Sequence, residues 1–216
     1  GAKPAALKAL VEQGRADIHH AIAILDALVT LSPTVERESL LGSTWKRMAR
    51  LEGRAGPPAA AAKAHAVDRM AEHYRRAEAM ALQSGLADLF YPALNLVAAD
   101  LLAHGPDRHR SGGAERRQRV RQGLERKLRE DPDFWSVVGL PELSVYESLA
   151  DHTLATHLPT ILGSFEDLHQ RAGTGWMWAS VADQLGFVLE HLDGLTSADR
   201  PAANELLGVL NRYAAE

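Results

Sequence analysis

The sequence predicts an all-α fold of stacked helical hairpins, and three observations carry that expectation. Apolar residues recur at steps of three and four along nearly the whole chain. Glycine and proline clusters fall between these stripes and not inside them. No run alternates apolar and polar residues for long, and "DFWSVVGL" is the only stretch with any strand character.

The first helix is expected from about Pro4 to Leu31, with a stripe of Leu7, Leu10 or Val11, Ile18, Ile22, Leu25 and Leu28 or Val29. Ser32 reads as an N-cap and Pro33 as the first residue of a second helix, whose Leu41, Trp45 and Met48 face inward until Gly53 to Pro58 ends it. "AAAAKAHAVDRMAEHYRRAEAMALQSG" combines high helix propensity with a Val67, Met70, Tyr74, Ala77, Ala81 stripe and stops at Ser84-Gly85. Asp88 is placed to cap a fourth helix, "FYPALNLVAADLL", which tolerates Pro92 in its first turn. The segment "HGPDRHRSGG" breaks the pattern. Helices follow near 114–130, 141–151, 159–171, 175–192 and 198–214, punctuated by Pro141, Pro159, Gly173 and Gly194, for about nine in all. Residues 1–104 and 114–216 are thus expected as two sets of hairpins packed in one array, with 105–113 as a flexible connection.

At 216 residues, 46% hydrophobic and 24% charged, the chain has the apolar material for a sizeable core. A net charge of -4 argues against a general polyanion binder. Cysteine is absent, so disulfides, thiolate metal ligands and a cysteine nucleophile are excluded, which suits a reducing cytoplasm. Even "AIAILDALVTL" is interrupted by Asp26, so no stretch spans a membrane. The chain opens on Gly1 without the pattern of a signal peptide and reads as a fragment of a longer protein.

Several segments resemble a known repeat. "LLGSTW", with Leu41, Gly42 and Trp45, resembles the first helix of a tetratricopeptide (TPR) repeat, and "MAEHYRRA", with Tyr74 and Ala77, resembles its second. Tyr91, Leu94, Asn95 and Ala98 resemble the opening of the next repeat, so the likeness covers residues 35–102. A weaker one covers 159–192, through Ile161, Phe165 and Leu168 and then Trp178, Val181, Ala182 and Leu185. Three positions depart from the family: Glu38 stands where it has an apolar residue, Met70 where it has alanine, and Asn95 where it has glycine. The interval from Leu41 to Leu94 also exceeds the usual repeat of roughly 34 residues. These long helices further resemble repeat regions of bacterial multidomain proteins, distantly similar to the central helical region of ASK-type stress kinases.

The resemblance implies a fold, a TPR-like α-solenoid, and a task. Basic residues and asparagines on successive first helices of TPR proteins clamp a bound peptide. Lys46 and Arg50 are four apart and share a helix face, with Arg47 beside them, while Asn95 is the neighbouring repeat's contribution and Asp100 follows it. Lys46, Arg47, Arg50, Asn95 and Asp100 are therefore the expected partner-binding residues. The module would be non-catalytic and regulatory, needing no cofactor or metal, and would hold a protein or peptide segment, or another domain of the same polypeptide, in a concave groove. A plainer reading stands beside it: the cations form a solvated face, Asn95 bonds an adjacent helix, and Asp100 pairs with an arginine.

The alternative is a helical enzyme, or a sensor of nucleotides or nucleic acid, using the Arg- and His-rich second half. Residues 104–131 are basic, yet their acids are interspersed and no aromatic residues interleave, as a solvated helix with internal pairs would have it. Among the ten histidines, His152 and His157 stand near Asp151, but a spacing of five diverges around a helix and does not suit a metal. Ser43, Ser136 and Ser164 lack a nucleophile elbow, and "GTGW" lacks the lysine of a phosphate loop. Trp135, Trp176 and Trp178 read as core rather than as an aromatic pocket.

Overall fold

The computed structural model describes residues 2–56, 59–85 and 90–216. Among them are nine α-helices and no strand: α1 (Ala2–Leu31), α2 (Val35–Arg54), α3 (Ala60–Ser84), α4 (Phe90–Gly112), α5 (Ala114–Glu130), α6 (Phe134–Ala150), α7 (Leu154–His169), α8 (Gly175–His191) and α9 (Asp199–Ala215). They form two compact units, residues 1–99 and 100–216, which divide inside α4. Five residues past that division, Gly105 takes φ 74° and ψ 172° and kinks the helix, which resumes to Gly112. Such a conformation is open to glycine because it has no Cβ.

In the first unit the side-chain pairings give the helix directions. Arg15 of α1 meets Glu52 near the end of α2, while Arg37 near its start donates to the carbonyls of Leu28 and Ser32 (3.2 and 2.5 Å), so α1 and α2 are antiparallel. Glu38 pairs with His73, whereas Trp45 lies against His65, so α3 returns antiparallel to α2. Gly42 makes this hairpin close: a Cβ there would sit 2.8 Å from the Tyr74 ring. Leu41, Met48, Ala66, Met70, Tyr74 and Ala77 form the buried face between them.

In the second unit, Gly139 faces Leu124 and Arg121 bonds Glu147, so α6 runs antiparallel to α5. Ala155 N–H donates to Asp199 at 2.9 Å, and His169 stacks on Tyr213 at 3.9 Å between centroids, so α7 and α9 run parallel. Gln184 Nε2 donates to the Tyr146 hydroxyl at 3.1 Å, and that hydroxyl donates to Glu142 at 2.6 Å, which satisfies three buried polar groups between α6 and α8. Trp178 is buried among the rings of Phe134, Phe165, His169 and Tyr213.

Four local expectations are corrected. Thr34, not Ser32, caps α2: its hydroxyl accepts from Arg37 N–H at 3.1 Å, one turn into the helix. Helices α6 and α7 begin at Phe134 and Leu154, leaving Pro141 and Pro159 inside them and not at their starts. For α6 the reason is a capping box in which Asp133 accepts from Ser136 N–H at 2.7 Å and Ser136 Oγ accepts from Asp133 N–H at 3.0 Å. That box also turns the strand-like "DFWSVVGL" into helix. On α1 only Ile22 of the expected stripe is buried, while Leu7, Leu10 and Leu28 are exposed, because α1 packs chiefly on α2. Trp135 and Trp176 are exposed, so only Trp178 of the three is core. The expected cap Asp88 lies outside the described residues.

Candidate partner-binding face

Lys46, Arg47 and Arg50 occupy consecutive turns of α2; Arg47 is exposed and the other two are half-buried. Arg47 Nη1 donates to Ser43 Oγ at 2.9 Å, one turn back on the same face. Below them lies Tyr74 of α3, almost fully buried. Burial pushes its hydroxyl well above the ordinary tyrosine range, a shift increased by a hydrogen bond with Tyr91 and opposed by Arg47 and Ser43. Residues from three helices therefore converge here: Ser43 and Arg47 of α2, Tyr74 of α3, and Tyr91 of α4.

Asn95 joins this group through its own helix. It is buried one turn after Tyr91, and its Nδ2 donates to the Tyr91 carbonyl at 3.0 Å. The amide nitrogen is thus satisfied locally, while Tyr91 itself stays about half exposed at 48%. Arg47 and Tyr91 each act on the Tyr74 hydroxyl, and a guanidinium and a phenol are both donors that suit a carboxylate or a peptide carbonyl. Asp100 has other company: it belongs to the second unit, where Arg116 Nη1 donates to it at 2.7 Å.

Sequence reasoning passed over Ser43 and Tyr91 as site residues, although each stands one helical turn before an expected one, Arg47 and Asn95. Glu38, noted only as a departure from the repeat, is buried with His73 at 2.7 Å. Several cations elsewhere have acid partners. Arg119 bonds Glu115 at 2.9 Å, Lys127 bonds Asp131 at 2.6 Å, and Glu72 bridges Arg69 and Arg76. The basic α5 is thus laced with ion pairs. His157 Nδ1 meets Ser148 Oγ at 3.2 Å, but Thr153 Oγ1 shares that nitrogen at 3.3 Å and Ser148 is buried. Among the described residues, no three histidine or acidic side chains gather to hold a metal, and no helix is long and apolar enough to cross a membrane.

A close glycine-on-tyrosine hairpin, with the next helix touching its second member through Tyr91, is the construction of a TPR-like helical repeat protein. Residues 4–103 match the family model described as Tetratricopeptide Repeats-Sensor. No curated protein and no solved structure matches the chain. Repeats of the TPR type generally mediate protein–protein interaction or sensing and are typically non-catalytic.

Proposed function

We propose that residues 1–99 form a non-catalytic interaction or sensing module that receives an extended segment of a partner, or of another domain of the same polypeptide, on the face bearing Arg47 and Tyr91. The observation that carries this reading is the convergence of Ser43, Arg47, Tyr74 and Tyr91 from three helices, with one cation and one half-exposed tyrosine at the surface. Lys46 and Arg50 extend the cationic flank, and Asn95 holds the α4 end of the face. A carboxylate-bearing segment fits best, since Arg47 offers a charged, planar donor.

Selection of peptides from a random display library against the full chain tests it. Selected peptides are expected to be acidic or to end in a free carboxylate, and to lose on the order of tenfold or more in affinity on Arg47→Glu, which places a like charge against them. Tyr91→Ala should weaken them too. Peptides that bind Arg47→Glu and Tyr91→Ala as tightly as the parent chain would remove this face from consideration.

A further inference from the structure

The second unit contains an open-sided cleft of about 470 Å³, walled by the C-terminal half of α6, the first turns of α7 and Arg117 of α5. That volume lies within the range of small-molecule sites. Its wall is unusual in chemistry. Ser144, Ser148, Thr153, Thr160 and Ser164 all line it, so hydroxyls dominate.

The hydrogen bonds decide what these groups present. Ser144 Oγ donates to the Leu140 carbonyl at 3.1 Å and Ser164 Oγ to the Thr160 carbonyl at 3.0 Å. Each hydroxyl has a single proton, so both oxygens present acceptor lone pairs to a ligand. The carboxylates of Glu147 and Asp151 add acceptors, and Arg117 and the exposed His157 ring add donors. Charge is balanced locally, because Arg121 bonds Glu147 and Arg117 stands in the same wall as Asp151. A phosphate would meet two carboxylates, and an organic cation would meet the Arg117 guanidinium. Among the described residues no aromatic carbon ring lines the cleft, so none of them stacks a nucleobase or an arene there. Leu140, Pro141 and Ile161 supply apolar surface for a C–H face.

The rim is shaped by the ending of α6. His152, between the lining residues Asp151 and Thr153, has φ 56°, and among the described residues it is the sole non-glycine with positive φ. It is the left-handed residue that closes α6, where His152 N–H donates to the Leu149 carbonyl at 3.3 Å and Thr153 N–H to the Ser148 carbonyl at 2.8 Å. Here it turns the chain from α6 into α7 and brings the Thr153 hydroxyl and the His157 ring onto one wall.

We infer that this cleft binds a small neutral polyhydroxyl molecule of monosaccharide size, whose vicinal hydroxyls donate to Ser144, Ser164 and the carboxylates while its C–H face rests on Leu140, Pro141 and Ile161. This site is separate from the Arg47 face and does not rest on it.

Amide and imidazole NMR shifts of the full chain test the inference, recorded during titration with a panel of aldopentoses, aldohexoses and myo-inositol. Inorganic phosphate and spermidine serve as the charged comparisons. At least one polyol should shift Ser144, Ser164 and His157 signals saturably, and the charged probes should not. The double variant Ser144→Ala/Ser164→Ala removes two acceptors from half-buried and exposed positions without touching the core. It should weaken that binding by on the order of tenfold. No response to any polyol, a response to phosphate or spermidine alone, or undiminished binding by the double variant each overturns the inference.

Discussion

Glu38 and His73 meet across the α2/α3 hairpin with 2.7 Å between carboxylate oxygen and Nδ1, and both side chains are almost wholly removed from solvent. Arg69 Nη2 approaches the other ring nitrogen at 3.2 Å. A TPR repeat places an apolar residue at the Glu38 position, so this chain carries a polar link where packing alone would serve. Removing one partner strands the other. Glu38→Leu is expected to cost about 1 to 3 kcal/mol, and Glu38→Leu/His73→Leu less than the sum of the single changes. Urea unfolding of the four proteins of this double-mutant cycle measures the coupling, and strictly additive costs would show that the pair contributes none.

Gly42 and Gly163 should respond to alanine in opposite directions. A Cβ at Gly42 would meet the buried Tyr74 ring at 2.8 to 3.0 Å, whereas one at Gly163 in α7 would meet nothing within 4 Å. Alanine gains up to about 1 kcal/mol of helix propensity at either site. At Gly42, overpacking of about 1 to 3 kcal/mol outweighs it. Thermal melts should therefore show Gly42→Ala less stable than the parent and Gly163→Ala more stable. A Gly42→Ala protein that melts higher would mean the hairpin opens without penalty.

Acid should loosen α1 before the rest of the first unit. Arg15 donates to Glu52 through Nε at 2.7 Å and Nη2 at 2.9 Å, and this holds the Glu52 carboxyl below its ordinary range. A depressed folded-state value means the contribution is present above the unfolded carboxylate value, about 4.3, and is lost as pH falls through the folded one. Since Arg15 is partly exposed, solvent screens the pair and the effect is modest. The stability gap between the parent and Glu52→Gln should be open at neutral pH and close below about pH 4. A gap independent of pH would contradict the linkage.

Asp199 ties two helix starts together. It is buried at the first position of α9, and it accepts from Ala155 N–H of α7 at 2.9 Å and from Thr196 Oγ1 at 2.7 Å. Asp199→Ala leaves the part-buried Ala155 N–H without its acceptor and is expected to cost about 1 to 2 kcal/mol. Asp199→Asn keeps the Oδ1 acceptor and should cost less. Chemical denaturation ranks the three proteins, and equal midpoints for Asp199→Ala and the parent would show that water replaces the carboxylate.

The sequence by itself determined the helical class, the nine helices among the described residues and the α2/α3 hairpin, because each of these is written in local spacing. Gly85, for instance, ends α3 at φ 62°, where only a residue without a Cβ is at ease. Likewise the Gly42, Trp45 and Tyr74 pattern announced a close helix pair, since small and aromatic residues at those intervals can only serve one another. Helix starts were less legible where two local signals compete. Pro141 and Pro159 are strong breakers, yet the Asp133 capping box and the Asp199 bond to Ala155 begin their helices earlier, and the second of these joins residues 44 apart. Tertiary structure alone decided which polar residues meet. Arg47 reaches Ser43 within its own helix, but its influence on Tyr74 needs α2 and α3 in register, and Tyr91 reaches that hydroxyl from α4. Asp100 lies beside Arg116 because α4 kinks at Gly105 before α5 begins, and Glu38 is tolerable only because His73 arrives opposite it. Spacing along the chain encodes which face a residue occupies, whereas the partner on that face depends on how separate helices pack, a long-range property that no local pattern contains.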